Sequence, residues 1–157
     1  MDYENHYLEF VIEEEYYWAA LYAVSKVLRS VQLINYPGEN DNLVGLININ
    51  GQIVPVVNIR KLLGLSTRDM ELNDRIIVLE SGLYRIAFMA DRIETVIHLP
   101  VDKKYEAEQI FPGTEHYIQS IGRFNDKPIK ICNVDALLTI HGSTGMENIP
   151  KREPHKK

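Results

Sequence analysis

The sequence predicts a mainly β protein assembled from two similar units, and three observations carry that reading. First, the pair Asn50-Gly51 separates two β-branched apolar runs, residues 43–49 and 52–57. Asn-Gly between alternating hydrophobic runs is the strongest short-range hairpin signal, because both residues accept the positive φ that a type I′ turn requires. Second, several other short runs alternate apolar and polar residues with a period of two, the signature of strands with one buried face. Third, Val57-Asn58-Ile59-Arg60-Lys61-Leu62-Leu63 is echoed 75 residues later by Cys132-Asn133-Val134-Asp135-Ala136-Leu137-Leu138. Each copy follows a hairpin with a proline in or beside its second strand. The chain therefore divides into two β units, each closed by a short helix.

The elements follow in order. Residues 7–12 place Leu8, Phe10 and Ile12 on one face, a strand with one buried side. Glu13-Glu14-Glu15 reads as a solvated turn, since like charges repel unless spread into water. Residues 16–21 form a second strand led by three aromatic β formers. Residues 23–28 fit strand or helix, and Pro37-Gly38 marks a turn. The Asn-Gly turn sets the register of the central hairpin: Ile49 opposite Gln52, Ile47 opposite Val54 and Gly45 opposite Val56. Asn48–Ile53 and Leu46–Pro55 lie on the other face. Pro55 has no N–H and so belongs at a sheet edge or a bulge. Asn58 then caps a short helix with Ile59, Leu62 and Leu63 on its apolar face, and Gly64 ends it.

Residues 66–74 are polar and read as a surface loop. A second hairpin runs through residues 75–80, a turn at Ser81-Gly82, and residues 83–90, whose second strand is apolar on both faces and so central. Residues 92–99 alternate as a further strand that Pro100 closes, and 102–112 read as a long connection. Residues 117–124 and 128–132 form the last hairpin around Asn125-Asp126, and Asn133 caps a short helix. One domain is expected over residues 7–140, with flexible termini at 1–6 and 141–157.

Composition narrows the function. Charged residues make up 25% of the chain and apolar ones 45%, the balance of an ordinary globular domain that needs no staples. A net charge of −5 argues against nucleic acid, which calls for a clustered basic face. One cysteine excludes an intrachain disulfide. The acidic start lacks an apolar signal region and no apolar run approaches a membrane span, so a cytoplasmic location is expected. The histidines at 6, 98, 116, 141 and 155 share no metal-ligand spacing on one element. Glu115 and His116 are neighbours on a strand and point apart. Cys132, in a strand before a helix cap, reads as a buried inert thiol. No Gly-rich phosphate loop, Cys-x-x-Cys or Gly-x-Ser-x-Gly is present. Nothing here predicts an enzyme, a cofactor or a metal.

The residues of the first hairpin and helix carry a resemblance. Gly45, Asn48, Gly51, Pro55-Val56 and Leu62-Leu63-Gly64 follow the order and spacing of the CheW-like domain signature. Residues 7–140 resemble that family, most closely at 43–64. The resemblance implies two intertwined five-stranded SH3-like β-barrels packed on a shared hydrophobic core with short capping helices, and makes residues 23–28 a strand. It also implies a non-enzymatic adaptor that couples the cytoplasmic tips of chemoreceptors (methyl-accepting chemotaxis proteins) to the regulatory domain of a CheA-type histidine kinase. Membrane association would come only through receptor arrays. The receptor contact would lie in the groove between the barrels and the kinase contact on the first barrel.

Carried onto matching positions, the resemblance makes Val24 and Val27 groove residues; that both are simply core is the plainer alternative. Gly45, Asn48 and Gly51 shape the hairpin surface that Ile53 shares. Two positions depart from the family pattern: Lys26 and Asn50 stand where the family usually carries Glu and Arg, which pair beside the receptor groove. Losing both charges is self-consistent and moves the local charge from neutral to +1, so altered preference for an acidic partner surface is expected. Trp18 stands where the family often has a small residue. An adaptor in a pilus-motility or other receptor array, with a lost or retuned receptor site, is an alternative. A small-ligand-binding β-barrel is another.

Overall fold

In a computed structural model, described here for residues 5–36, 38, 40–99, 106–108 (backbone only) and 116–140, the chain forms eleven strands and two short helices. The strands are β1 (His6–Ile12), β2 (Glu15–Ala20), β3 (Val24–Arg29), β4 (Leu43–Ile49), β5 (Gln52–Val57), β6 (Arg75–Ser81), β7 (Tyr84–Ala90), β8 (Arg92–His98), β9 (Glu106–Glu108), β10 (Ile118–Phe124) and β11 (Lys127–Cys132). Helix α1 (Ile59–Leu62) follows β5, helix α2 (Val134–Leu138) follows β11, and a 3-10 turn, Leu21–Ala23, joins β2 to β3.

These elements make two sheets, a six-stranded one in the order β8-β1-β2-β11-β10-β9 and a five-stranded one in the order β3-β6-β7-β5-β4. The predicted mainly β, two-unit architecture is present, but the units are not the two halves of the sequence. Strands β1 and β2 leave the front of the chain to join β8–β11, so the chain weaves between units.

Three apolar clusters match this plan. Ile47, Ile49, Val54, Val56, Ile76, Val78 and Ala87 fill the five-stranded unit. Trp18, Ile129 and Ile131, with Tyr7, Tyr16, Ile97 and Phe124 against them, form a second cluster on strands of the six-stranded sheet. A larger cluster draws Phe10, Tyr17, Ile77, Leu79, Phe88 and Leu137 from both sheets and α2, the shared core.

The central hairpin keeps the predicted register at all five pairs, from Ile49–Gln52 to Gly45–Val56, with Asn50 and Gly51 at φ of 53° and 86°. The repeat is structural as well. Asn125 and Asp126 turn at φ of 53° and 62°. The Asn58 side chain accepts a hydrogen bond from the Lys61 N–H, and Asn133 accepts one from the Ala136 N–H. Each cap satisfies one of the donors that a helix start leaves without an intrahelical partner.

Several expectations need correction. Pro55 lies neither at an edge nor at a bulge, since β5 sits between β4 and β7. Alternation along the hairpin turns its missing N–H towards β7, and β5 meets β7 at a single parallel pair, Val56–Ala87. No strand ladder closes either sheet among the described residues; in the five-stranded unit the segment after β3 returns to β4 at one bridge. There Ile34 and Leu46 exchange two hydrogen bonds of 2.7 and 2.8 Å. Gly45 permits that approach, because a Cβ on it would lie 3.0 Å from the Ile34 carbonyl oxygen and 3.1 Å from Leu33 Cβ.

The six-stranded sheet gains β9, three residues inside the predicted connection with no apolar alternation to mark them. The second turn falls on Gly82-Leu83, with Gly82 at φ 59° in the first central position. Strand β1 is buried on both faces, with Glu9 and Val11 as enclosed as Leu8 and Phe10. Pro37, Pro100, Glu115 and residues 1–4 and 141–157 lie outside the described residues, whereas His6, placed in the tail by the sequence, opens β1.

The β1–β2 turn carries a sequence conflict. Glu13 and Glu14 hold φ of 54° and 67°, a left-handed conformation that suits Asn-Gly and costs other residues energy. Glu14→Gly is therefore expected to raise unfolding free energy by about 0.5–1 kcal/mol, the relief of strain less the extra flexibility of glycine. A shift of the urea midpoint to lower concentration would contradict this.

Candidate functional site

The candidate residues fall in two places. Val24, Lys26 and Val27 lie on β3, the edge strand of the five-stranded sheet, whose ladder partner is β6. Strict alternation would send Val24 and Val27 to opposite faces. A register shift between Val24 and Lys26 changes this: Val24 pairs with Leu79, Lys26 with Val78, Val27 with Ile77 and Leu28 with Ile76. Directly opposed residues share a face. Leu79 and Ile77 belong to the shared core, whereas Val78 and Ile76 fill the five-stranded unit. The bulge therefore places Val24 and Val27 together on the shared-core side. Val24 packs partly buried against that core, and Val27 remains 39% exposed at its margin. Lys26 faces the other way and is half-buried.

Gly45, Asn48, Asn50, Gly51 and Ile53 lie on the β4–β5 hairpin. Asn48 Oδ1 accepts a 2.7 Å hydrogen bond from the Gly51 N–H, so this side chain braces the turn. Asn48 and Ile53 pair across the ladder with both side chains exposed, and Val44, at the register shift of the same strand, is exposed as well. Strand β3 and this hairpin stand at opposite ends of the ladder order, and among the described residues no hydrogen bond or ion pair joins Lys26 to Asn50.

A network that sequence reasoning missed holds the two units in register. Arg60, the first-turn residue of α1, donates to Glu13 of the β1–β2 turn and to Asp91 at 2.9 and 3.1 Å. Arg68 donates to Asp91 Oδ1 at 2.8 Å and to both Asp74 oxygens at 2.8 and 2.9 Å. Asp91 also accepts the Glu13 N–H at 2.9 Å, and Asp74 accepts the Glu71 N–H at 2.7 Å.

The triple-glutamate run is thus not merely solvated, since Glu13 pairs with Arg60 and Glu15 with Lys130. Asp74, expected on a surface loop, is 3% exposed. Burial pushes its carboxyl pKa up, but the Arg68 guanidinium and the Glu71 N–H pull it further down, leaving it below the usual range. Burial likewise works against the Arg60 cation and is outweighed by Asp91 and Glu13. Five partners from four separate segments leave no spacing for a sequence to reveal.

No group of three or more metal-ligating side chains occurs among the described residues, and no described helix is long and apolar enough to cross a membrane. Cys132 is buried, and burial pushes its thiol up to about 12, the state of an unreactive thiol. Tyr17 and Trp18 are enclosed, so they offer no stacking platform.

The model of the CheW-like domain family matches residues 6–141, most of the chain. The chain belongs to the CheW-like domain family. Its relatives include proteins named chemotaxis protein CheW. The one from Klebsiella aerogenes is 22% identical over 152 residues, covering 92% of this chain and 88% of the relative. The one from Helicobacter pylori is 19% identical over 132 residues, covering 84% and 80%. That from Thermotoga maritima is 28% identical over 92 residues, covering 59% and 60%. Among solved structures, the scaffolding protein TtCheW from Thermoanaerobacter tengcongensis superimposes with a TM-score of 0.72 at 23% identity, covering 82% of this chain and 88% of that one. At that identity the likeness establishes the fold. For a CheW-like chain, the signature glycines and Asn48 acquire a physical reason here. Gly51 and Asn48 build the turn, and Gly45 admits the crossing segment at Leu33 and Ile34, whose backbone bridges to Leu46.

Proposed function

We propose that this chain is a non-enzymatic adaptor that couples chemoreceptor cytoplasmic tips to the regulatory domain of a CheA-type histidine kinase. The match of most of the chain to the CheW-like family supports the reading, as do relatives named as chemotaxis proteins and a solved neighbour named as a scaffolding protein. The observation that carries the receptor site is the β3 bulge. It turns Val24 and Val27 to the same side, at the margin of the core between the units, on a strand whose outer side no other described strand covers. An apolar margin beside an open strand edge suits a helical or extended partner segment.

Lys26, on the opposite face of the open edge strand from Val24 and Val27, and Asn50 act on this adaptor's preference through their charge rather than by contact in the apolar margin. They leave a single cation where the resemblance implies an acid–base pair, which favours a receptor surface richer in carboxylates. The experiment is titration of the cognate receptor tip with the wild type and with Lys26→Glu/Asn50→Arg. The double variant should bind more weakly, by about tenfold, and the difference should shrink as salt rises. Equal affinity at low salt would show that these two positions do not tune receptor choice.

A further inference from the structure

Strand pairing assembles two histidines that lie 92 residues apart in the sequence. His6, first residue of β1, and His98, last residue of β8, are directly opposed in the antiparallel ladder. Their ring centroids are 4.3 Å apart at an interplanar angle of 50°, with His98 Nδ1 2.9 Å from His6 Nε2. Just beyond them the Leu99 N–H donates to the Asn5 carbonyl at 2.8 Å, which ties the two strand ends together.

We infer that His6 and His98 form a two-imidazole site for a divalent transition-metal ion of the Zn2+, Ni2+ and Cu2+ class, which pins the edge strand β8 to β1. Imidazole nitrogen is the ligand these ions share. Metal–nitrogen bonds of about 2.0–2.1 Å place two neighbouring ligands about 2.9 Å apart at a right angle and about 3.3 Å apart in a tetrahedron. The nitrogens already stand at the first of these separations, so the backbone need not move. The rings need only turn about their side-chain torsions until both lone pairs meet at one point, and His98 is exposed on an edge strand with room to do so. Both imidazoles bind the ion in the neutral form: the hydrogen of the N–H···N contact moves, through water, to the other nitrogen of its own ring, and this change of tautomer frees both facing lone pairs. Among the described residues no third ligand joins the pair, and two imidazoles by themselves give micromolar rather than nanomolar affinity.

The test uses the full chain with His116, His141 and His155 replaced by alanine, which leaves His6 and His98 as its imidazoles. Ni2+ is titrated calorimetrically and thermal unfolding is followed with and without the ion. The expected result is one site with a dissociation constant below about 100 μM, a rise in Tm on saturation, and at least about tenfold weaker binding after His98→Ala or His6→Ala. Absence of binding up to about 1 mM, or binding that survives both substitutions, would overturn the inference. Both single variants should retain the unfolding midpoint of the metal-free parent, which separates loss of ligand from loss of fold.

Discussion

Asp91→Ala is expected to destabilise the protein by about 3 kcal/mol, because it withdraws the carboxylate shared by two guanidinium groups and a turn N–H. Asp91 accepts from Arg60, Arg68 and Glu13 at once and is 27% exposed at its side chain. Removing it leaves Arg60 and Arg68 with Glu13, Asp74 and the more distant Glu71 as their remaining acids. The same network predicts a pH dependence. The native Asp74 carboxyl titrates below its unfolded value of about 3.9. Its contribution is therefore fully present above that unfolded value and is lost as pH falls through the native one. Urea midpoints measured from pH 7 to pH 3 should fall at the acid end, and Asp74→Asn should flatten that fall while lowering the midpoint at pH 7. A midpoint at pH 7 unchanged by Asp91→Ala would show that the network does not join the units.

Trp18→Ala is expected to cost about 4 kcal/mol, as loss of a large buried aromatic does when its surroundings relax only in part. Trp18 is fully enclosed, stacks on Tyr7 at 5.0 Å between ring centroids and meets Phe124 edge-on at 5.2 Å. Its indole Nε1 also donates to Glu9 Oε2 at 3.0 Å. Glu9 is 3% exposed, and its charged partner is Lys127 Nζ at 3.2 Å, an ammonium that also sits over the Tyr16 ring, 4.0 Å from its centroid. Truncation thus opens a cavity and removes a donor from a buried carboxylate, a pair of losses that add. In a chain of this size that should lower Tm by about 10 °C, since each kcal/mol moves Tm by about 2–4 °C. Trp18→Phe keeps most of the ring and should recover more than half of the loss. A drop of under about 1 kcal/mol for Trp18→Ala would mean that the satellite cluster contributes little to the fold.

Local chemistry made much of this legible in advance. Asn50-Gly51 specified a turn, the turn specified the register, and the register decided which of Ile47, Asn48, Val54 and Ile53 face inward. Asn58 and Asn133 announced both helix caps. What stayed hidden depends on contacts between distant segments. Alternation alone put one side of β1 in solvent, yet a second apolar cluster gathers around Trp18, the residue opposite Glu9, and Glu9 and Val11 are buried as well. Val24 and Val27 share a face because of a bulge, which no residue in Val24-Ser25-Lys26-Val27 signals. Arg60, Arg68, Asp74 and Asp91 look like ordinary surface charges until the fold gathers them. His6 and His98 have no spacing to recognise for the same reason.

Titration calorimetry with two partners decides whether this CheW-like chain couples a receptor to a kinase. One is the cytoplasmic signalling tip of the cognate receptor and the other is the regulatory domain of the cognate kinase. The wild type is expected to bind both. Val27→Asp, placing a charge on the apolar margin, should abolish receptor binding and leave kinase binding and the unfolding midpoint unchanged. Failure of the wild type to bind either partner would contradict the coupling role, and receptor binding that survives Val27→Asp would contradict the site on β3.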